Sequence, residues 1–223
     1  MIRLVVILLL PLLMTPRLAS GHEVWITADI GQDDQLDIRI GCGHSFPASS
    51  LAIADRVVAS LTLLSLGDDA PATVLSTHTE GSWRVARHPV PASPALLTLT
   101  LQRPRQPEPV GWSRTWWFSH PPPSEPLPSL GEGLEIVVIT PPSSWHIGKP
   151  IELELHDNRQ SLSARGTLHN PDGSTRPIRL NAAQPATIVP SQAGAMMISF
   201  THRNQSATLV LTIRPAPTQP HES

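Results

Sequence analysis

Cysteine, lysine and tyrosine are almost absent from this chain of 223 residues. Cys42 is the only cysteine, which excludes an intramolecular disulfide framework, and the chain contains no tyrosine. Lys149 is the only lysine, and 16 basic residues face 18 acidic ones for a net charge of -2. Because the sequence has no basic stripe and no mixing of basic with aromatic residues, we do not expect nucleic acid as a partner.

Long apolar runs are scarce too, and the clearest one opens the chain. It extends from Leu4 to Met14 and is shorter than the roughly 20 residues that a transmembrane helix needs. Ala19 and Gly21 then occupy the small-residue positions of a signal-peptidase site. We therefore predict that residues 1–21 are a cleaved signal peptide. The mature protein would begin at His22, be exported and have no transmembrane span.

The rest of the chain alternates apolar and polar residues with period two, which indicates strands. In "QLDIRIGC" the apolar side chains Leu36, Ile38, Ile40 and Cys42 share one face, and "PIELELHD" repeats the pattern later in the chain. The 25 prolines also disfavour helices. In the segment "NPDGS", Asp172-Gly173 is a hairpin turn signal. Short strands with regularly spaced turns predict an all-β fold of sandwich type.

Proline clusters at 120–133, where "HPPPSEPLPSLGEG" is the best candidate for a linker. We therefore predict two β-sandwich domains of immunoglobulin-like or prealbumin-like type. The first would comprise residues 22–129 and the second residues 130–215. The remaining residues, 216–223, would form a disordered tail.

His22 is the most specific chemical feature of the predicted mature chain. If cleavage exposes it, its α-amine and its imidazole become two nitrogen donors on one residue, and both can lose a proton to a metal near neutral pH. Nitrogen-rich planar sites suit Cu(II) or Ni(II). No catalytic motif such as G-x-S-x-G or H-E-x-x-H occurs, so we do not expect an enzyme.

The segment "GCGHSFP" follows the Leu36–Cys42 strand and offers a further imidazole, that of His44. If the first strand, "EVWITAD", pairs with that strand, His22 and His44 lie close together. The alternative is a turn histidine bonded to the backbone. Cys42 is either a soft ligand or a buried small hydrophobe, and burial is favoured. We expect the following histidines to be exposed or locally bonded: His78, His120, His156, His169 and His202.

Three segments of the chain resemble a known protein family. "HEVWI", "LDIRIGCGHSFP" and "LEIVVI" resemble a family of exported bacterial proteins of unsettled function, sometimes labelled nickel-uptake or NikM-like. The resemblance extends to the segment Gly148–Pro150. It implies a periplasmic accessory to transition-metal uptake or handling, which would deliver its ion to a membrane transporter or an outer-membrane receptor.

The leading hypothesis is thus a periplasmic protein that binds a transition metal through His22 and His44. One alternative is a β-sandwich that binds a partner protein and no metal. Another is a copper oxidase that uses the same N-terminal chelate, which would require an open coordination position.

Overall fold

The computed structural model describes residues 22–67, 71–106, 108–118 and 121–216. The predicted signal peptide, residues 1–21, lies outside this part of the chain, as do His120 and residues 217–223 of the predicted tail. Within it, strands joined by loops and three short 3-10 turns make up the fold, which confirms the all-β prediction. None of the described helices is long and apolar enough to cross a membrane.

Sixteen strands occur in the described residues. Those of the first half are β1 (Glu23–Ile30), β2 (Gln35–Gly43), β3 (Val58–Ser65), β4 (Thr73–Val74), β5 (His78–Glu80), β6 (Trp83–Pro89), β7 (Ala95–Gln102) and β8 (Pro109–Trp117). Those of the second half are β9 (Leu134–Val138), β10 (Ile151–Asp157), β11 (Gln160–Ser161), β12 (Ala164–His169), β13 (Thr175–Leu180), β14 (Ala186–Ile188), β15 (Gly194–His202) and β16 (Gln205–Ile213). The 3-10 turns are Gln32–Asp34, Asp55–Val57 and Pro142–Ser144.

The strands form three sheets. One has the order β1-β2-β6-β5, and a second is built around β10, which pairs with β9, β11 and β14. The third has eight strands in the order β13-β12-β15-β16-β8-β7-β3-β4. Its two halves meet where β16 runs parallel to β8, with Ser206 opposite Gly111. This long sheet therefore belongs to both halves of the chain.

Each half of the long sheet covers a hydrophobic core, as expected for a sandwich in which alternate side chains point inward. The first core lies against β1 and β2 and takes its buried residues from positions 24–117. The second lies against β9 and β10 and takes its buried residues from positions 127–213. Leu127, in the proline-rich 121–133 segment, is itself buried in the second core. The chain thus forms two layered cores connected by one continuous sheet.

The predicted alternation agrees with the observed burial. Leu36, Ile38 and Ile40 are fully buried in the first core, and Ile151 and Leu153 in the second. The "NPDGS" segment lies between β12 and β13, where the amide of Gly173 donates to the carbonyl oxygen of Asn170. The hairpin prediction is therefore confirmed.

A third, smaller core joins the two halves. Trp25 of β1 packs with Phe46 of the loop after β2 and with Met197 and Val210 of β15 and β16. The rings of Trp25 and Phe46 meet edge to face with centroids 5.6 Å apart. Because successive side chains of a strand point to opposite faces, β1 buries Val24 and Ile26 in the first core and Trp25 against the second half.

Candidate metal centre

The pairing of β1 with β2 brings His22 and His44 together. The strands are antiparallel with Glu23 opposite Gly43, so His22, just before β1, and His44, just after β2, are the next residues in register. Their ring centroids are 4.4 Å apart, and the ring planes are tilted by 34°. Both side chains are exposed. The predicted proximity of the two imidazoles is confirmed.

The loop that carries His44 is fixed at two points. Phe46 is buried in the small third core. The hydroxyl of Ser49 accepts a hydrogen bond from the amide of Cys42 at 3.0 Å and donates to the carbonyl oxygen of Ser82 at 2.7 Å. With anchors on both sides, His44 stays at the end of β2 while its own ring faces solvent. The loop therefore holds an exposed imidazole above His22.

Glu23 ties the same strand end to the second half of the chain. Its Oε1 accepts hydrogen bonds from Nε2 of His169 at 3.1 Å and from the hydroxyl of Ser199 at 2.5 Å. A carboxylate can only accept, so Nε2 of His169 carries a proton in this contact. Nearby, the hydroxyl of Thr208 donates to the carbonyl oxygen of Val24 at 2.6 Å. These bonds fix the backbone that positions His22.

His169 corrects the sequence-based expectation. It was expected to be exposed or locally bonded, but it is only 4% exposed and lies on β12 against the start of β1, where its partner Glu23 is distant in sequence. Its ring meets that of Phe46 edge to face. The reason is that β1 covers the second face of the long sheet, which antiparallel sheets often leave to solvent. No local pattern marks this contact, because Glu23 and His169 are 146 residues apart in sequence.

The surroundings of Glu23 favour its charged form. Burial on its own raises the pKa of the carboxyl group. The hydrogen bonds from His169 and Ser199, together with the charges of His169 and His44, outweigh that effect and leave the pKa of Glu23 below its ordinary value. A negative charge therefore lies beside the two exposed imidazoles.

The described side chains do not form a complete metal site. No group of three or more His, Cys, Asp or Glu residues is placed to hold a metal ion in this part of the chain. His22 and His44 supply two imidazole nitrogens. The third nitrogen of the predicted site is the α-amine of His22, which is free only in a chain that begins there. The donor set thus depends on processing as well as on folding.

The other candidate residues are occupied elsewhere. Cys42 is 5% exposed within the first core, and burial raises the pKa of its thiol, in agreement with the prediction of a buried small hydrophobe. His78 lies 2.8 Å from a carboxylate oxygen of Glu80, and His156 lies 2.7 Å from one of Glu154. These two histidines are locally bonded, as predicted. His202 is partly buried at the end of β15.

No family model and no curated protein matches the chain, so the resemblance to the NikM-like family stays a prediction. A segment of two fibronectin type III domains from chicken tenascin aligns with 84% of this chain and 97% of its own length, at 11% identity and a TM-score of 0.25. The three-domain ectodomain of mouse nectin-like molecule 4 aligns with 91% of this chain and 66% of its own length, at 13% identity and a TM-score of 0.26.

Proposed function

We propose that the chain is an exported periplasmic protein that binds a transition metal ion through His22 and His44. The observation that carries the proposal is the contact of the two exposed imidazole rings, 4.4 Å between centroids, at the predicted start of the mature chain. Two neighbouring imidazole rings are suited to a shared ion, because imidazole is the commonest side-chain ligand of metals in proteins. The role would be to hold the ion or deliver it to an uptake system, without catalysis.

The α-amine completes the donor set. Cleavage after Gly21 would free the amine of His22, so that one residue offers two nitrogens and His44 offers another. A nitrogen-rich set of this kind favours Cu(II) or Ni(II), and Cu(II) binds more tightly when access is equal. Glu23, held in its charged form, adds a nearby negative charge that favours a cation. The buried Cys42 thiol is not required.

The test is metal binding by protein that begins at His22. We expect calorimetry with Cu(II), Ni(II) and Zn(II) to show one tight site for Cu(II) or Ni(II). A chain that retains Gly21 loses the free amine of His22, and the variant His44→Ala loses an imidazole. Each change should weaken binding at least about tenfold, or about 1.4 kcal/mol. The two effects should not add, because both act on one ion.

The control is His78→Ala, which removes an exposed imidazole paired with Glu80 and should leave the affinity unchanged. Absence of binding by the correctly processed chain would refute the proposal and favour the protein-interaction alternative. Binding that survives both changes would place the ion elsewhere. Oxygen consumption with a reductant and the metal-loaded protein would instead indicate the copper oxidase.

A further inference from the structure

A cleft of about 700 Å³ opens beside His22, and both His22 and Glu23 lie on its wall. The cleft lies between the two halves of the chain, with β15 and β16 along one side. Small-molecule sites in proteins typically measure about 300–1,000 Å³, whereas one water molecule occupies only about 30 Å³ in the liquid. The space beside His22 is therefore much larger than an ion and its bound water require.

The charged residues of the cleft are mainly basic. Arg103 follows β7 and Arg203 follows β15, so each half contributes one guanidinium at a hairpin tip. Within the described residues, neither arginine forms an ion pair. Glu23 is the one acid on the described wall, and its carboxylate is already bonded to His169. The cleft thus has two unpaired positive charges.

A neighbouring cavity of about 570 Å³ shares Arg103 and Arg203 with the cleft. It also contains Glu108 and Asp157, which are not part of the wall beside His22. The two arginines therefore border both the cavity that contains these acids and the cleft that contains His22. An anion is favoured in the cleft beside His22, because Glu23 is the one carboxylate on its described wall and is already bonded to His169.

The uncharged part of the wall fits an organic anion. Thr201 and Ser206 face each other in the β15–β16 register, and in the described structure neither hydroxyl is used in a bond. By contrast, the hydroxyls of Ser199 and Thr208 are already bonded to Glu23 and Val24. The apolar residue Leu51 lies on the wall as well. The site therefore offers cationic and hydroxyl donors for oxygen atoms together with apolar contact for a carbon skeleton.

We propose that this cleft binds a small organic polycarboxylate and that the metal ion occupies His22 as a complex with that anion. Guanidinium groups bind carboxylates through paired hydrogen bonds, which gives Arg103 and Arg203 the role of anion ligands. Further carboxylate oxygens would complete the coordination of the ion held by His22 and His44. The metal complex in this proposal rests on the proposed function, whereas the anion site rests on the cleft itself.

The experiment uses citrate as the probe. Calorimetry should show citrate binding to the protein that begins at His22, and binding at least about tenfold tighter once the protein carries one equivalent of Cu(II) or Ni(II). The double variant Arg103→Gln/Arg203→Gln should lose at least about tenfold in citrate affinity. It should bind the metal alone as the wild type does. Arg105→Gln changes an arginine of the same hairpin outside the cleft and should have no effect.

Several results would overturn the proposal. Citrate that does not bind the metal-loaded protein, or that binds the double variant unchanged, removes the anion site. If the affinity for citrate does not depend on the metal, the proposed complex of metal and anion is excluded. Inorganic phosphate that competes as strongly as citrate would assign the arginines to phosphate instead. The proposed function is tested separately by measuring metal binding in the absence of citrate, which His44→Ala should weaken. Failure of the metal site and failure of the anion site can therefore be told apart.

Discussion

The carboxylate of Glu23 lies 3.0 Å from Nε2 of His169, although the two residues come from opposite halves of the chain. Glu23 is the first residue of β1 and directly follows the candidate metal ligand His22. The backbone of His22 is therefore held by the second half of the chain as well as by β2. A site at the predicted start of the mature protein depends on contacts made by residues near position 169.

Replacing His169 by alanine should destabilise the fold. The change removes a buried ring and one of the two side chains that donate to the partly buried Glu23, so we expect the free energy of unfolding to fall by about 1–3 kcal/mol. Urea denaturation followed by tryptophan fluorescence gives the measurement. His78→Ala is the matched control, because it breaks an exposed pair and should change stability by less than about 1 kcal/mol. Equal effects of the two variants would contradict the buried contact.

The pH dependence of the free energy of unfolding should reveal the contribution of the charged Glu23 carboxylate. Its pKa is lower in the folded protein than the ordinary value of 4.5, so its contribution is fully present above pH 4.5 and is lost as the pH falls below that value. Wild type should therefore be more stable than Glu23→Gln at neutral pH, and the difference should shrink on acidification below pH 4.5. Denaturant titrations of both proteins at several pH values give this difference. A constant difference across that range would rule out the charged contact.

Period two in the sequence predicted much of the fold, because a strand with one buried face shows its pattern locally. The faces of β2 and β10 follow from Leu36–Cys42 and Ile151–Leu155 alone. The proximity of His22 and His44 followed from a single assumption, the pairing of β1 with β2. These features depend on neighbours in sequence or on one antiparallel pair.

The remaining features depend on distant contacts. The parallel pairing of β16 with β8 joins residues 95 positions apart, and no turn between them fixes their register. The burial of His169 could not be predicted for a related reason. Alternation places its side chain opposite the buried Leu168, but it does not show that β1 covers that second face.

Gly41 should be intolerant of a side chain. It lies opposite Trp25 in the β1–β2 register, and a Cβ atom there would collide with the buried indole ring. Overpacking of this kind costs about 1–3 kcal/mol, so Gly41→Ala should be less stable and should show an altered near-ultraviolet circular dichroism spectrum of tryptophan. Gly81→Ala is the control, because it introduces only backbone strain at a φ of 58° in open space. An unchanged spectrum for Gly41→Ala would show that the indole does not lie on this glycine.

Glu135 should be essential for the junction between the two halves. Its carboxylate accepts hydrogen bonds from the amides of Leu130 and Gly131, both at 3.0 Å, and from the hydroxyl of Ser129 at 2.6 Å. It also forms a buried ion pair of 3.4 Å with Arg114 on β8. Glu135 therefore connects the proline-rich segment, the start of the second half of the chain and β8, the last strand of the first half.

Glu135→Gln keeps the size of the side chain but removes its charge, so Arg114 is left buried without an acid in contact. Burial lowers the pKa of Arg114, and the charge of Glu135 acts against that shift, which indicates that the two groups depend on each other. Breaking a buried pair by removing one partner costs about 3–5 kcal/mol, and we expect a loss of that order in urea denaturation. The exposed Glu125 of the proline-rich segment provides the control Glu125→Gln, which should cost less than about 1 kcal/mol. If both variants unfold at the same urea concentration as the wild type, the ion pair between β8 and β9 does not stabilise the junction.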